Sequence, residues 1–158
     1  MNHAKDKDFD NIMDIVYQHR NWLGHVRTDY IRQMIMNNAK TFNFETNFTS
    51  KNKNTNLLII ENDVMISYNT YKRKNTIGTF IAQQGDCILH QIVAKEKGTG
   101  SAMLNKFFEF MSPRRVILSV RSDNEIAKKF YIKNNMKLAG ETSWSKGTLP
   151  GDVFVYNQ

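Results

Sequence analysis

The stretch ILHQIVAKEKGTGSA, residues 88–102, decides the fold. It starts with mostly apolar residues that are typical of a strand, continues as a short charged loop with Gly98 and Gly100, and leads into an apolar pattern of helical period. Glycine permits backbone geometry that lets consecutive N–H groups point into one concavity, and a helix N-terminus adds donors and partial positive charge. The stretch therefore predicts a strand–loop–helix unit that binds a pyrophosphate, reinforced by Lys95 and Lys97.

This loop differs from two better-known phosphate-binding patterns. A Walker A loop ends in Gly-Lys-Ser/Thr, which is absent here, and Met103 stands where the dinucleotide pattern G-x-G-x-x-G has its third glycine. A strand–Gly-x-Gly–helix turn also occurs as a tight connection without a ligand. The loop alone consequently leaves the function open.

A second informative stretch is NEIAKKFYIKNNM, residues 124–136. At this point the chain resembles the GNAT superfamily of acyl-CoA-dependent N-acyltransferases. The segment KEKGTG at 95–100 is similar to that family's Gln/Arg-x-x-Gly-x-Gly/Ala pyrophosphate loop. The second stretch is similar to its Asn-x-x-Ala-x-x-Phe-Tyr-x-x-x-Gly-Phe block. The two motifs occur in the family's order, and the resemblance covers roughly residues 57–156.

The resemblance implies a set of residues for coenzyme A. Backbone N–H groups of the loop would hold the pyrophosphate, backbone groups of the preceding strand would pair with the pantetheine arm as an extra strand would, and Asn124 would bond the pantetheine region. The loop residues are Lys97, Gly98, Thr99, Gly100 and Ser101, and the strand residues are Ile92, Val93 and Ala94. Lys95, Lys97 and one of Lys128 and Lys129 would account for charge facing the phosphates.

The resemblance also implies catalytic roles. Tyr131 would sit near the thioester sulfur and protonate the departing thiolate, and strand N–H groups would polarise the thioester carbonyl. Many family members carry a Glu as general base at the position of Gln91, which cannot accept a proton. His90 is its neighbour but points to the opposite face of a regular strand. Either Gln91 or His90 is therefore expected to position a water or accept the proton.

Two other positions depart from the family pattern. Lys95 replaces a Gln or Arg, which keeps the charge but loses the planar fork of arginine. Asn135-Met136 replaces Gly-Phe after the helix, so Asn135 is expected in a left-handed conformation, which asparagine tolerates.

The periodicity of the whole chain predicts a mixed α/β fold of GNAT type, with a central, mostly antiparallel sheet flanked by helices and one parallel pair at a β-α-β step. Residues 1–158 are expected to form a single domain, with a polar and mobile loop at 46–56. The predicted helices are 10–19, capped by Asp10, a second from 28 or 29 to about 38, 98–111 and 124–134; the predicted strands are 57–61, 64–72, 76–82, 86–94, 116–121, 136–142 and 153–156.

Composition excludes several classes of protein. Hydrophobic residues make up 41% and charged residues 23%, and no apolar run reaches the length of a membrane span, so neither a disordered chain nor a membrane partner is expected. The single cysteine, Cys87, excludes an internal disulfide, no metal-ligand spacing occurs, and no secretory signal is visible, so a cytoplasmic protein without metal is expected. The net charge of +7 favours a polyanionic partner.

These observations lead to one main hypothesis and two alternatives. The main one is a transferase that moves the acetyl group of acetyl-CoA directly to a primary amine of an unidentified acceptor, acting as a monomer or homodimer. The first alternative keeps the fold but acts on nucleic acid, as an aminoacyl-tRNA acetylating toxin or a phage enzyme that modifies DNA bases. It is motivated by the charge, by Lys72-Arg73-Lys74 and by Arg114-Arg115. The second is a non-catalytic CoA-binding domain.

Overall fold

The computed structural model describes residues 1–23, 27–42 and 55–157, except for the side chains at 22, 41 and 42. A short 3-10 helix at Asp6–Asp8 precedes α1. The helices are α1 Phe9–Gln18, α2 Arg20–Leu23, α3 Thr28–Phe42, α4 Gly100–Met111 and α5 Glu125–Lys133; the strands are β1 Leu57–Glu61, β2 Val64–Thr70, β3 Asn75–Ile77, β4 Phe80–Ala82, β5 Cys87–Ala94, β6 Val116–Arg121, β7 Lys137–Trp144 and β8 Leu149–Tyr156.

The strands confirm the predicted mixed α/β fold. Six of them form one sheet in the order β1-β2-β5-β6-β8-β7, flanked by helices, and β3 and β4 form a separate pair. Strand β5 pairs with β6 in parallel, whereas β1 with β2, β6 with β8 and β7 with β8 are antiparallel. The parallel step lies at the β5-α4-β6 connection, as the switch of period in the sequence indicated.

The chain divides into two compact units, so the predicted single domain stays a prediction. Unit 1 comprises Met1–Asn69 and Gln91–Met103, and unit 2 comprises Thr70–His90 and Leu104–Gln158. Strand β5 and helix α4 each contribute residues to both units.

Unit 1 has a core built from the apolar faces of α1 and α3 and from β1. The predicted helical stripes are buried, with Ile12 and Ile15 on α1 and Ile31 and Met34 on α3 all inaccessible to solvent. The N-terminal segment lies along β1, where the Ala4 N–H donates to the carbonyl of Leu58 at 2.9 Å. Burying these stripes against the strand is what holds the short helices in place.

Unit 2 has its own core, formed by β4, β6 and β8. It includes Phe80, Ile117 and Val153, with Tyr71 packed at its edge. The predicted apolar face of α4 is also buried, and Phe107 is completely inaccessible. Asn135 has φ 67°, which confirms the left-handed conformation expected after α5.

The predicted strand at 76–82, paired with 86–94, is wrong. Gly78 has φ 58° and turns the chain, so β3 and β4 form a hairpin of their own, and β5 lies between β2 and β6. A Cβ at Gly78 would lie 1.9 Å from the carbonyl oxygen of Glu141. Glycine is therefore required both for the turn and for the close approach of the hairpin to β7.

Other predicted boundaries also need correction. Helix α1 begins at Phe9 with Asp8 in the N-cap position, so Asp10 lies inside the first turn and does not cap the helix. Strand β8 begins at Leu149 rather than 153, because a turn with Ser145 and Lys146 at positive φ lets β7 and β8 pair from end to end. The predicted loop at 46–56 falls mostly outside the described residues.

Candidate active site

The predicted anion-binding loop lies between β5 and α4 and belongs to unit 1. Gly98 has φ 96°, a backbone conformation that L side chains rarely adopt, and a Cβ there would meet no atom within 4 Å. The carbonyl of Thr99 accepts from the Met103 N–H at 3.5 Å, so the first turn of α4 directs its N–H groups toward the exposed loop. Gly98 is thus required by the local backbone path, and the helix N-terminus favours an anion there.

The two lysines of the loop have different environments. The Lys95 ammonium lies 3.6 Å from the carboxylate of Asp14 on α1, and the Lys95 N–H donates to the Asp63 carbonyl at 2.9 Å. Lys97 is exposed and forms no ion pair within the described part of the chain. The expected contribution of Lys95 to an anion site is consequently shared with Asp14, whereas the charge of Lys97 is fully available.

A histidine of α1 contacts the end of β5. His19 donates through Nε2 to the carbonyl oxygen of Ala94 at 3.0 Å, within unit 1. Ala94 is one of the strand residues that were predicted to pair with a pantetheine arm. Its carbonyl is thus bonded to His19, while Ile92 and Val93 stay half-buried in the same strand. The pairing of these strand residues with a pantetheine arm stays a prediction.

The parallel register of β5 covers only the start of the strand. The paired residues of β5 and β6 are Cys87 with Val116 and Ile88 with Ile117, whereas β5 continues to Ala94. The predicted pantetheine-pairing residues thus lie beyond the paired part of β5.

Gln91 is held by a residue that the sequence pattern did not single out. The Ser67 hydroxyl on β2 donates to Gln91 Oε1 in a short hydrogen bond, and Ser67 is completely buried. Because the amide oxygen is engaged, Gln91 presents its NH₂ group as a donor. Its position suits it to bind a carbonyl or a water oxygen and does not suit it to accept a proton. The sequence did contain one indication of this contact, because Ser67 is a polar residue in the otherwise apolar first part of β2.

His90, in unit 2, is the titratable neighbour of Gln91. Its ring is accessible in part, but the surrounding protein atoms reduce the hydration of the charged form, and this desolvation lowers the pKa of His90 below its usual 6.5. The imidazole is therefore neutral at physiological pH and can accept a proton.

Tyr131 is half-buried on α5 in unit 2. Its ring lies edge-to-face with Phe130, with centroids 5.5 Å apart, and 6.1 Å from the ring of Phe154. Burial raises the pKa of Tyr131 to about 12. Its hydroxyl makes no hydrogen bond to any other described residue, so the proton can be directed to a ligand.

Asn124 and Lys128 already have structural partners in unit 2. The Asn124 side-chain oxygen caps α5 by accepting from the Ala127 N–H at 3.2 Å, which leaves its NH₂ group for a ligand. The Lys128 ammonium lies 3.0 Å from the Asp152 carboxylate and donates to the Ser122 carbonyl at 3.1 Å. Its hydrogen bond to Asp152 raises the pKa of Lys128. The charge of Lys128 is therefore balanced by Asp152 and needs no phosphate partner. Of the two lysines, Lys129 is the exposed one.

The remaining sequence candidates carry little chemistry. Cys87 is fully buried, and desolvation raises the pKa of its thiol, so it is a packing residue. Among the described residues, no group of three His, Cys, Asp or Glu side chains could hold a metal ion. None of the described helices has the length and apolar character needed to cross a membrane.

An open cleft of about 610 Å³ lies in unit 1 where α3 begins. Its lining contains Met13, Arg27, Thr28, Asp29 and Arg32. The Arg32 guanidinium stacks on the Phe9 ring at 3.9 Å from the centroid. The lining is mixed in charge, with two arginines and one carboxylate, so it selects neither a cationic nor an anionic acceptor.

Comparison with known proteins identifies the fold. No protein-family model and no curated protein matches the sequence. Among solved structures, a GNAT-family acetyltransferase from Bacillus cereus ATCC 10987 is similar at 17% identity and a TM-score of 0.62, over 98% of this chain and 93% of that one. An N-acetyltransferase from Staphylococcus aureus Mu50 is similar at 15% identity and 0.63, over 98% and 94%.

A ribosomal-protein-alanine N-acetyltransferase from Brucella melitensis is similar at 13% identity, with a TM-score of 0.65 over 98% of this chain and 96% of that one. At such identities the similarity concerns the fold. The chain therefore has the fold of the GNAT acetyltransferases, which confirms the resemblance seen in its two motifs.

Proposed function

We propose that the protein is an acetyl-CoA-dependent N-acetyltransferase that transfers the acetyl group directly to a primary amine. The observation that carries the proposal is the loop between β5 and α4. In a chain with the GNAT fold, it places Gly98 at φ 96° directly before a helix N-terminus, with Lys97 exposed beside it. This arrangement supports binding of the pyrophosphate of coenzyme A. The proposed cofactor-binding set consists of the predicted residues, which are Ile92, Val93, Ala94, Lys95, Lys97, Gly98, Thr99, Gly100, Ser101 and Asn124.

The proposed reaction uses three side chains. His90 accepts the proton of the acceptor ammonium, because its lowered pKa keeps the imidazole neutral. The free amine attacks the thioester carbonyl, a C–N bond forms and the C–S bond breaks, and the proton then released from the attacking nitrogen passes to the departing sulfur. The products are the acetylated amine and coenzyme A, with the first ammonium proton on His90. The Gln91 NH₂ group can donate to an oxygen in the site, and the Tyr131 hydroxyl donates to the departing sulfur.

Calorimetric titration with acetyl-CoA, combined with a thiol-release assay over a panel of primary amines, tests this function. We expect saturable binding at micromolar concentration and amine-dependent release of coenzyme A. No binding heat at high micromolar acetyl-CoA would refute the proposal. Binding without thiol release for any amine would instead select the non-catalytic CoA-binding alternative.

The variant Gly98→Ala tests the loop directly. Because the loop needs φ 96° at this position, alanine forces strain of about 1–3 kcal/mol, and we expect acetyl-CoA affinity to fall about tenfold or more. The matched control is Gly147→Ala in the β7–β8 turn, where φ is 87° and a Cβ would also meet no atom within 4 Å. Calorimetry should show weaker binding for Gly98→Ala alone. Equal affinities of the two variants would argue against the loop as the pyrophosphate site.

The pH dependence of kcat tests His90. Protonation below its lowered pKa removes the base, so we expect kcat to fall only below pH 6.5. His90→Gln should lower kcat about 10²-fold and abolish this acid limb. The control His3→Gln should retain the limb, because His3 is bonded to the Tyr68 hydroxyl in unit 1 at 2.7 Å. An unchanged acid limb in His90→Gln would assign the base to another group.

A further inference from the structure

Two basic segments that are distant in the sequence meet in unit 2. The Tyr71 N–H donates to the Asp86 carbonyl at 2.9 Å, and the Gly85 N–H donates to the Tyr71 carbonyl at 2.8 Å. On the other side of the same turn, Arg114 Nη1 donates to the Gly85 carbonyl at 2.9 Å. The turn at Gly85 therefore joins the segment after β2, which carries Lys72-Arg73-Lys74, to the segment before β6, which carries Arg114 and Arg115.

Among the described residues, only one of these five cations has a carboxylate partner. Arg115 forms a two-point ion pair with Asp86, through Nε at 3.1 Å and Nη2 at 2.5 Å. The other four are exposed, and within the described residues no carboxylate lies within 4.0 Å of their charged groups. We call Lys72, Arg73, Lys74 and Arg114 the basic patch.

The charges of the basic patch add no ion pair to the described part of the fold. Apart from the bond of Arg114 to a neutral carbonyl, its side chains lie outside the core, and like charges held within about one Debye length of each other repel. A partner with several negative charges would relieve this repulsion. None of the four patch residues belongs to the set proposed for coenzyme A, so the proposed cofactor site does not account for this charge.

We infer that the basic patch is a binding surface for the phosphate backbone of nucleic acid. Four flexible cationic side chains on exposed turns can each reach a different phosphate, whereas one small anion would engage only two or three of them. Contacts to phosphates carry no sequence information, so we expect this binding to be independent of sequence. This inference does not depend on the proposed acetyl transfer.

Fluorescence anisotropy with a labelled DNA duplex and a labelled RNA duplex of equal length tests the inference. With four phosphate contacts, we expect DNA affinity to fall about a hundredfold between roughly 50 mM and 200 mM salt. In the variant Lys72→Gln/Arg73→Gln/Lys74→Gln, the slope of log affinity against log salt should fall by about 0.9 for each contact removed. The RNA arm determines which duplex is preferred, and preference for either supports the inference.

The matched control removes the same charge elsewhere on unit 2. Lys133→Gln/Lys137→Gln/Lys146→Gln neutralises three exposed lysines that have no ion pair among the described residues. It should keep the wild-type affinity and salt slope, and thermal unfolding should show that both triple variants fold. Equal loss of binding in the two variants, no binding to either duplex at about 50 mM salt, or equal affinity for polyglutamate of matched charge would each overturn the assignment.

Discussion

Replacing Asp86 with asparagine is expected to destabilise the protein by about 3 kcal/mol, because it leaves a half-buried guanidinium without its counter-ion. The Asp86 side chain is 8% exposed and that of Arg115 is 24% exposed. The same carboxylate accepts a hydrogen bond from the Gln83 N–H at 2.7 Å. Asp86 therefore stabilises the turn before β5 in addition to pairing with Arg115. The partial exposure of Arg115 places the estimate at the lower end of the range for broken buried ion pairs.

The chain offers a control with the same pair of residue types. Arg121 and Asp123 also form a two-point ion pair, with Nη2 2.9 Å from the carboxylate, but their side chains are 55% and 69% exposed. Asp123→Asn should cost about 0.5 kcal/mol or less, because exposed pairs are screened by water. By thermal unfolding, Asp86→Asn should lower Tm by about 6–12 °C and Asp123→Asn by no more than about 2 °C.

A second substitution separates the ion pair from the packing of Asp86. If the cost of Asp86→Asn comes from the unpaired guanidinium, adding Arg115→Gln should recover part of the lost stability. Loss of Tm that simply adds in the double variant would show that the two side chains do not act as a pair. A drop for Asp86→Asn no larger than that for Asp123→Asn would contradict the assignment altogether.

The parts of the fold that local chemistry specifies were predictable from the sequence. The loop at Gly98 and the left-handed Asn135 each depend on a conformation that few residue types adopt, so a single residue carries the signal. The apolar stripes of α1, α3 and α4 were equally visible, because helical burial repeats along the chain. For the same reason the β5–loop–α4 unit was found.

The parts that depend on distant residues were not predictable. His19 and Ala94 are 75 residues apart and Ser67 and Gln91 are 24 residues apart, and no local pattern pairs them. The residues at 76–82 were interpreted as one strand, but Gly78 turns the chain at φ 58° and lies close to β7, a contact that no local pattern indicates. Gln91 shows the same limit: its departure from the family's Glu was recognisable in the sequence, but its bond to Ser67 was not.

Tyr131→Phe is expected to lower kcat about 10-fold to 10²-fold and leave acetyl-CoA affinity unchanged, if the proposed transfer occurs. The phenol pKa of about 12 keeps the hydroxyl protonated at every working pH. A thiol has a pKa near 8.5, so full proton transfer from this phenol to the thiolate would be unfavourable by about 3.5 pKa units, or roughly 5 kcal/mol. Tyr131 would therefore stabilise the developing thiolate chiefly by donating a hydrogen bond.

A hydrogen bond to a charged group contributes about 1.5–3 kcal/mol, which sets the expected loss at about 10-fold to 10²-fold. Because the pKa is raised, kcat should show no fall between pH 8 and about 10, where a tyrosine of ordinary pKa would be half ionised. The control Tyr156→Phe removes a hydroxyl from a ring stacked on Phe108 at 3.9 Å and should leave kcat unchanged. A higher KM for acetyl-CoA with unchanged kcat in Tyr131→Phe would instead make this residue a binding contact.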